Sequence, residues 1–381
     1  MPLCVRFAVG GKETHACTLL TKPIDTMPLE AKSCPDWVMP NDGMKGYYRS
    51  SLGGTMDLLH LLAKADKKLS VAERVGLLDD VGAGVDSGNV DVATALAAIP
   101  LALKADNRHL VETAQGIALQ ISGDLLSEPL RPKYEGFIRD TFGARALKLG
   151  LTVGAKESED VRLSRPWLVS MVAVQGKEPT LRAKSLQLAK GWLKDRKAVH
   201  ADLAGTVLHM AADTGDVELH DALVAAVKTE KDRADRGRMF GALSGFRDPA
   251  LVKAQLPLVL DKDLDVREAM QVLWGAAGDY RTREIAFAFL KDNWDALVAR
   301  MPEDSQGNLV WMGAGACDPA AREQVKSYFE GRSTKFLGGQ REFDQAMEGI
   351  DLCIAWRAKH KSSAERFIDG WTPSVAVKKA K

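Results

Sequence analysis

A change of hydrophobic period near residue 54 governs how this chain can fold. Upstream, apolar residues recur at every second position; downstream they recur three and four apart. In "LCVRFAV", Leu3, Val5 and Phe7 share one face of a strand and Arg6 lies on the other. "GGK" then reads as a hairpin turn and "THACTLLT" as the returning strand. "CPDWVMPN" and "GYYRSSL" predict two more short strands, separated by a Pro-Asn-Asp-Gly turn. Four short strands leave a long unpaired edge and an uncovered face. Residues 1–53 are therefore expected to form an incomplete β-layer.

From about Met56 the pattern is helical. "GTMDLLHLLAKA" and "SVAERVGLLDDVGAGV" carry the helical spacing, and Ser70 with Glu73 three residues on forms a capping-box pattern. Asp248-Pro249 and Asp318-Pro319 each set an N-capping carboxylate before a proline at the first helical position. Glu178-Pro179 introduces a helix on which Leu181, Leu188, Ala189 and Trp192 share a face. Further on, Ile285, Phe289, Asn293 and Leu297 align along one side, with Ala286, Leu290 and Trp294 beside them. Short helices with short loops predict stacked pairs. With no strict period, the expectation is a mainly α fold: an irregular HEAT-like helical array (an α-α superhelix) over residues 54–373, preceded by a small partial β-sandwich over 1–53. Residues 374–381 are expected to be a flexible tail.

Several functions lack their chemistry. With 52 basic residues against 51 acidic ones, nothing in the charge favours a nucleic acid or an anionic membrane surface. The N-terminus "MPLCVRFAVGGKETHAC" lacks the apolar core of a signal peptide, and Val90–Leu103 is too short and too interrupted to span a bilayer. A soluble chain without membrane insertion is expected, with no readable address. Cys4, Cys17, Cys34, Cys317 and Cys353 are widely spaced with no C-x-x-C pair. They read as reduced thiols, with Cys17–Cys34 the pairing to expect on export. There is no H-E-x-x-H, and no two of the seven histidines stand four apart. His200, His209 and His220 read as decoration of helices rather than a metal site. "VGAGVDSG" follows a helical pattern and reads as a helix C-terminal turn, not a dinucleotide loop. "DKDLDVRE" alternates carboxylates as a calcium loop does, but Val266 and Val272 occupy the positions that need glycine and glutamate, so an N-capped turn is expected.

The densest charge cluster is "KTEKDRADRGR", Lys228 to Arg238. It fits a solvated helix face with i,i+4 pairs such as Asp232 with Arg236, or a cationic patch that receives a carboxylate.

A family pattern runs through these same segments. "YRTREIAFAFLKDNWDAL" resembles a segment of the gluzincin aminopeptidases, the aminopeptidase N and ER-aminopeptidase type, with Ala286, Phe287, Phe289, Leu290, Asn293, Trp294 and Leu297 at the matching positions. "DRGRMFGALSGFRDPALV", "LDVREAM" and "REFDQAMEGIDLCIAW" resemble other helical segments of that family, in the same order. "GYYRSSL" is similar to its Gly-(Phe/Tyr)-Tyr-Arg strand, which leads from a β-sandwich into the helical domain, and "WVMPN" and "LCVRF" fit the sandwich strands before it.

The resemblance implies the end of that β-sandwich followed by the C-terminal helical domain, with the zinc-binding catalytic domain lying before Met1. It implies a concave domain that caps the active site, encloses peptide substrate and regulates access, with no hydrolysis by this chain alone. The implied partners are the N-terminal catalytic part of the aminopeptidase and peptide substrates. No cofactor is implied within this chain, the zinc belonging to the catalytic domain. Arg236, Arg238, Arg267 and Tyr48 are the candidate substrate contacts. A peptide's terminal carboxylate suits a guanidinium fork, and of the neighbours Tyr47 and Tyr48 one is expected to face the core. Asn293 and Trp294 are expected to be structural. The alternative is a free-standing HEAT-like protein-interaction scaffold.

Overall fold

The computed structural model describes residues 1–53, 55–64, 67–104, 107–121 and 125–372. The expected tail at 374–381 lies outside them. The fold is mainly α with a small antiparallel sheet at the front. Two compact units divide it: Met1–Leu130 with Lys359–Thr372, and Arg131–Ala358.

In the first unit, β1 (Pro2–Val9) and β2 (Lys12–Leu19) form a hairpin. Its turn is Gly10-Gly11, at φ 56° and 77°, the left-handed conformation that a two-residue hairpin loop needs and glycine adopts without strain. β3 (Trp37–Met39) pairs with the other edge of β1, giving the order β2-β1-β3. Phe7, Ala8, Trp37 and Met39 are the sheet's buried apolar residues, and Arg6 is buried with them. β2 is exposed along nearly its whole length, and among the described residues no strand pairs with its outer edge.

The fourth expected strand, "GYYRSSL", is irregular chain. Its polar groups find side chains instead of a ladder. Asn41 closes a turn over a short 3-10 segment, accepting from Gly46 N and donating to Gly46 O, both at 2.9 Å. Asp80 then accepts from Ser50 N at 3.0 Å and Ser50 Oγ at 2.5 Å. Backbone groups satisfied this way are withdrawn from strand pairing.

The cysteines also depart from expectation. Cys4 and Cys17, directly opposite in the β1–β2 register with Cα atoms 4.1 Å apart, form a disulfide, and so do Cys317 and Cys353. Cys34 is exposed and free. A narrow antiparallel pair of that kind brings opposed side chains close, which sequence spacing does not reveal.

Helices α1 (Thr55–Lys64), α2 (Val71–Asp86), α3 (Val92–Ala102) and α4 (Arg108–Leu119) complete the first unit with the end of the last helix. The Ser70–Glu73 capping box starts α2, and "VGAGVDSG" ends it, with Gly88 at φ 72°. The apolar run Val90–Leu103 is mostly α3, with Val92, Ala95, Leu96 and Ile99 fully buried.

The second unit runs through α5 (Arg131–Leu149), α6 (Glu159–Val174), α7 (Pro179–Lys194), α8 (Ala201–Ala212), α9 (Val217–Val227), α10 (Arg233–Leu243), α11 (Pro249–Gln255), α12 (Val266–Ala277), α13 (Arg283–Asp292), α14 (Trp294–Arg300), α15 (Pro319–Phe329) and α16 (Gly339–Gly370). α6, α8, α10 and α12 pack each against the next, with α5, α7 and α13 beside them. That succession is the expected helical array. Glu178, Asp248, Asp265 and Asp318 all cap as their sequence context predicts. α10 and α12 approach so closely that a Cβ at Gly275 would stand 2.4 Å from the Ser244 carbonyl oxygen. Leu181, Ala189 and Trp192 are buried on α7 as expected, while Leu188 is half-buried.

The run through Asn293 is two helices rather than one. Asn293, at φ −121° and ψ 22°, ends α13 and precedes α14, and its Nδ2 donates to Phe289 O at 2.9 Å. The buried row is Ala286, Phe287, Leu290 and Leu297. Trp294 meets Tyr328 and Phe329 edge-to-face and Phe336 at a tilt, with ring centroids 5.7–5.8 Å apart. Both residues have the structural roles expected of them.

Candidate functional site

Three of the four candidate contacts lie on α10 and at the start of α12. The first turn of α10 is set by Asp232, whose carboxylate accepts from Asp235 N at 2.9 Å. Asp232 is thereby taken up in capping, and the expected i,i+4 pair with Arg236 does not form. Arg236 turns to α12 instead. Its Nε donates to Glu268 Oε2 at 2.6 Å and its Nη2 to Oε1 at 3.3 Å, while Nη1 reaches Glu230 O at 3.0 Å. Glu268 is 8% exposed, so this fork holds a nearly buried carboxylate. Arg233 approaches the same carboxylate at 3.4 Å from solvent.

Arg238, two residues beyond Arg236, points elsewhere because i,i+2 neighbours do not share a helix face. Its Nη1 donates to Asp235 Oδ1 at 2.5 Å, and its side chain lies by Gly205 of α8. Asp235 also meets Arg196 at 3.3 Å, and Arg196 pairs with Glu230 at 2.8 Å over the Trp192 ring. The run Lys228–Arg238 is thus one side of an alternating ladder of arginines and carboxylates that spans helices. Neither of the two sequence readings describes it fully.

Arg267 is held locally. Asp265 Oδ1 accepts from the Arg267 backbone N and from its Nε, both at 3.0 Å, and Oδ2 accepts from Nη2 at 2.6 Å. These bonds pull the Asp265 carboxyl down to about 2. The Arg267 side chain remains 68% exposed. The same Asp-x-Arg clasp recurs one helix on, where Asp279 takes the Arg281 backbone N, Nε and Nη2 at 2.8–3.0 Å, and Arg247 adds a 3.0 Å contact. A third cluster surrounds Asp213, whose side chain is 1% exposed and which receives Lys177 at 2.7 Å and Arg182. Sequence reading missed these groups. The repeated Asp-x-Arg spacing at 265–267 and 279–281 is the signal that marks two of them.

Tyr48 belongs to the first unit, and its hydroxyl donates to Pro40 O at 3.0 Å. Its neighbour Tyr47 is fully exposed, so the expected division between the two tyrosines is present without a strand. Arg236 and Arg267 come together around the start of α12, Arg238 does not join them, and Tyr48 belongs to the other unit. Among the described residues, no group of three or more His, Cys, Asp or Glu is placed to hold a metal ion, and no helix is long and apolar enough to cross a membrane.

Residues 37–352 match the ERAP1-like C-terminal domain. The chain belongs to that family. The family match takes in β3, the α10–α12 ladder and the Asn293 break, and it stops within α16. Aminopeptidase 2 of Candida albicans is 21% identical over 341 residues, covering 88% of this chain and 37% of that protein. Aminopeptidase M1-B of Oryza sativa subsp. japonica is 25% identical over 374 residues, 92% of this chain and 40% of the relative. The puromycin-sensitive aminopeptidase of Caenorhabditis elegans is 22% identical over 227 residues, 59% and 24%. The chain thus spans 24–40% of the length of these relatives. It corresponds to the C-terminal domain of an M1 aminopeptidase.

Proposed function

We infer that this chain acts as the non-catalytic helical part of a zinc aminopeptidase, capping the active site, enclosing peptide and regulating access to it. The observation that carries this reading is the family match over residues 37–352, in a chain whose similar proteins are aminopeptidases. The residues present do not fit a zinc ion: H-E-x-x-H is absent from the sequence, and the described donors form no ligand group. In this reading the zinc and the hydrolytic step belong to a catalytic part to which the chain binds. A helical cap that closes over that part excludes water and commits the substrate.

Arg267 is the candidate best suited to meet a peptide's terminal carboxylate, being largely exposed and held by a carboxylate near the surface. The arriving carboxylate would take over the bidentate position of Asp265. Arg236 is committed to Glu268, and Arg238 to Asp235, so both support the wall rather than reach from it.

The test is to add the chain to a catalytic part of the family and follow cleavage of peptides of increasing length. Enclosure predicts that adding the chain changes how rate depends on length. An unchanged length dependence would overturn it, and a stable partner unrelated to any peptidase would support the scaffold reading instead.

A further inference from the structure

The first unit encloses a cavity of about 250 Å³ between the Ser50–Leu52 loop and helices α1 to α3. Leu52, Leu58, Leu77 and Val81 supply apolar walls. Two carboxylates line it, Asp80 and Asp91, and no lysine, arginine or histidine does so among the described residues. Its size is below the roughly 300–1,000 Å³ of sites for drug-sized ligands, which points to a small occupant.

The two carboxylates are unequal. Asp80 is 6% exposed and fixed: Oδ2 accepts two bonds from Ser50, and Oδ1 accepts one from Arg49 at 3.1 Å. It pins the loop that borders the cavity and keeps acceptor capacity on Oδ1, since a carboxylate oxygen accepts two bonds. Asp91 is exposed and occupies the N-cap position of α3 at φ −71° and ψ 134°, yet no N–H of that helix bonds its side chain. Asp216, Asp232 and Asp248, with φ and ψ within a few tens of degrees of these, do cap their helices. Asp91 thus lines the cavity without capping its helix, and its negative charge also acts on His360, whose ring is held below its ordinary titration range by burial.

We propose that this cavity binds a small aliphatic primary amine, with its ammonium group on Asp91 beside Asp80 and its hydrocarbon body on Leu77 and Val81. A cation is favoured because, among the described residues, the charged groups lining the cavity are carboxylates, of which Asp80 is paired with Arg49 and Asp91 is not. A short branched chain suits the aliphatic part of the wall, to which Val90 also belongs, and the small volume, while Ser50, Ser51, Asn89 and Thr94 complete the lining. The ammonium comes either from a free amine or from the N-terminus of a peptide with an aliphatic first residue.

The test is methyl NMR of the whole chain during titration with 3-methylbutylammonium chloride. Saturable shifts confined to methyls such as those of Leu77, Val81 and Val90 are expected, with Asp91→Asn weakening binding by about tenfold or more, the scale of one charge-assisted hydrogen bond. Asparagine is itself a good N-cap, so Asp91→Asn is expected to fold. Saturation by Leu-Gly-Gly as well, but not by its N-acetylated form, assigns a peptide terminus as the source; saturation by the amine alone assigns a free amine, and both support the site. No saturable shift, an equal response to 3-methylbutanoate, or an unchanged affinity in Asp91→Asn overturns it.

Discussion

Arg6, on the central strand β1, donates two hydrogen bonds through Nη2 to Glu73 in the first turn of α2, at 2.8 and 2.7 Å. The same guanidinium reaches Glu13 and Asp42, each at 3.0 Å. Glu73 also accepts from Gly43 N and from its capping partner Ser70. A buried arginine on the same sheet face as Ala8, Trp37 and Met39, its guanidinium over the Trp37 ring, thus fastens that sheet to the helix that follows.

This clasp makes stability depend on pH. Burial alone would push the Glu73 carboxyl up, but the bonds from Arg6, Gly43 and Ser70 outweigh it and hold it below the ordinary range. A depressed folded value contributes stability that is fully present above the unfolded value of about 4.3 and is lost as pH falls through the folded one. Glu73→Gln should cost about 1–3 kcal/mol at pH 7, because Arg6 keeps Glu13 and Asp42 but loses its charged partner on α2, and should flatten the acid limb of the stability curve. Urea denaturation at pH 7, 5 and 3.5 measures both.

The arginines of the ladder should separate by burial. Arg236→Ala leaves the nearly buried Glu268 with only the 3.4 Å contact from exposed Arg233, with a cost of about 2–3 kcal/mol. Arg267→Ala removes an exposed clasp and should leave stability nearly unchanged. In the assembled aminopeptidase Arg267→Ala should raise KM for peptides with a free C-terminus and spare C-terminal amides. Thermal denaturation and peptide kinetics on both variants check the pair.

Asn293 and Trp294 act through the α13–α14 break. Asn293→Ala removes one side-chain bond to Phe289 O and should cost about 1 kcal/mol. Trp294→Ala opens the cluster with Tyr328, Phe329 and Phe336 and should cost about 3–5 kcal/mol. Chemical denaturation should keep this order.

Cys34 should be the only thiol that iodoacetamide labels in the native chain, because the other four cysteines are paired. Peptide mapping before and after reduction counts them. The Cys317–Cys353 bridge closes the longer loop, 36 residues against 13. Its removal by Cys317→Ser with Cys353→Ser should cost about 2–4 kcal/mol.

What the sequence made legible was local. The caps at Ser70, Glu178, Asp248 and Asp318 depend on residues within a turn of one another, so their spacing reveals them. The hairpin at Gly10-Gly11 is of the same kind. What it hid was decided by distant competitors. "GYYRSSL" keeps a strand's alternation of tyrosines, but Asp80, thirty residues beyond Ser50, takes the backbone that a ladder would use. Arg236 passes over Asp232, four residues away, for Glu268, because Asp232 is engaged as a cap. The sequence marked the candidate arginines of α10 and α12 but not the carboxylates that hold them.

The most direct measurement of the central claim is hydrolysis of leucine 4-nitroanilide with added zinc, by the chain alone and with a catalytic part of the family. No turnover by the chain alone is predicted, together with a change in the rate or peptide-length dependence of the catalytic part when the chain is added. Zinc-dependent turnover by the chain alone would contradict it.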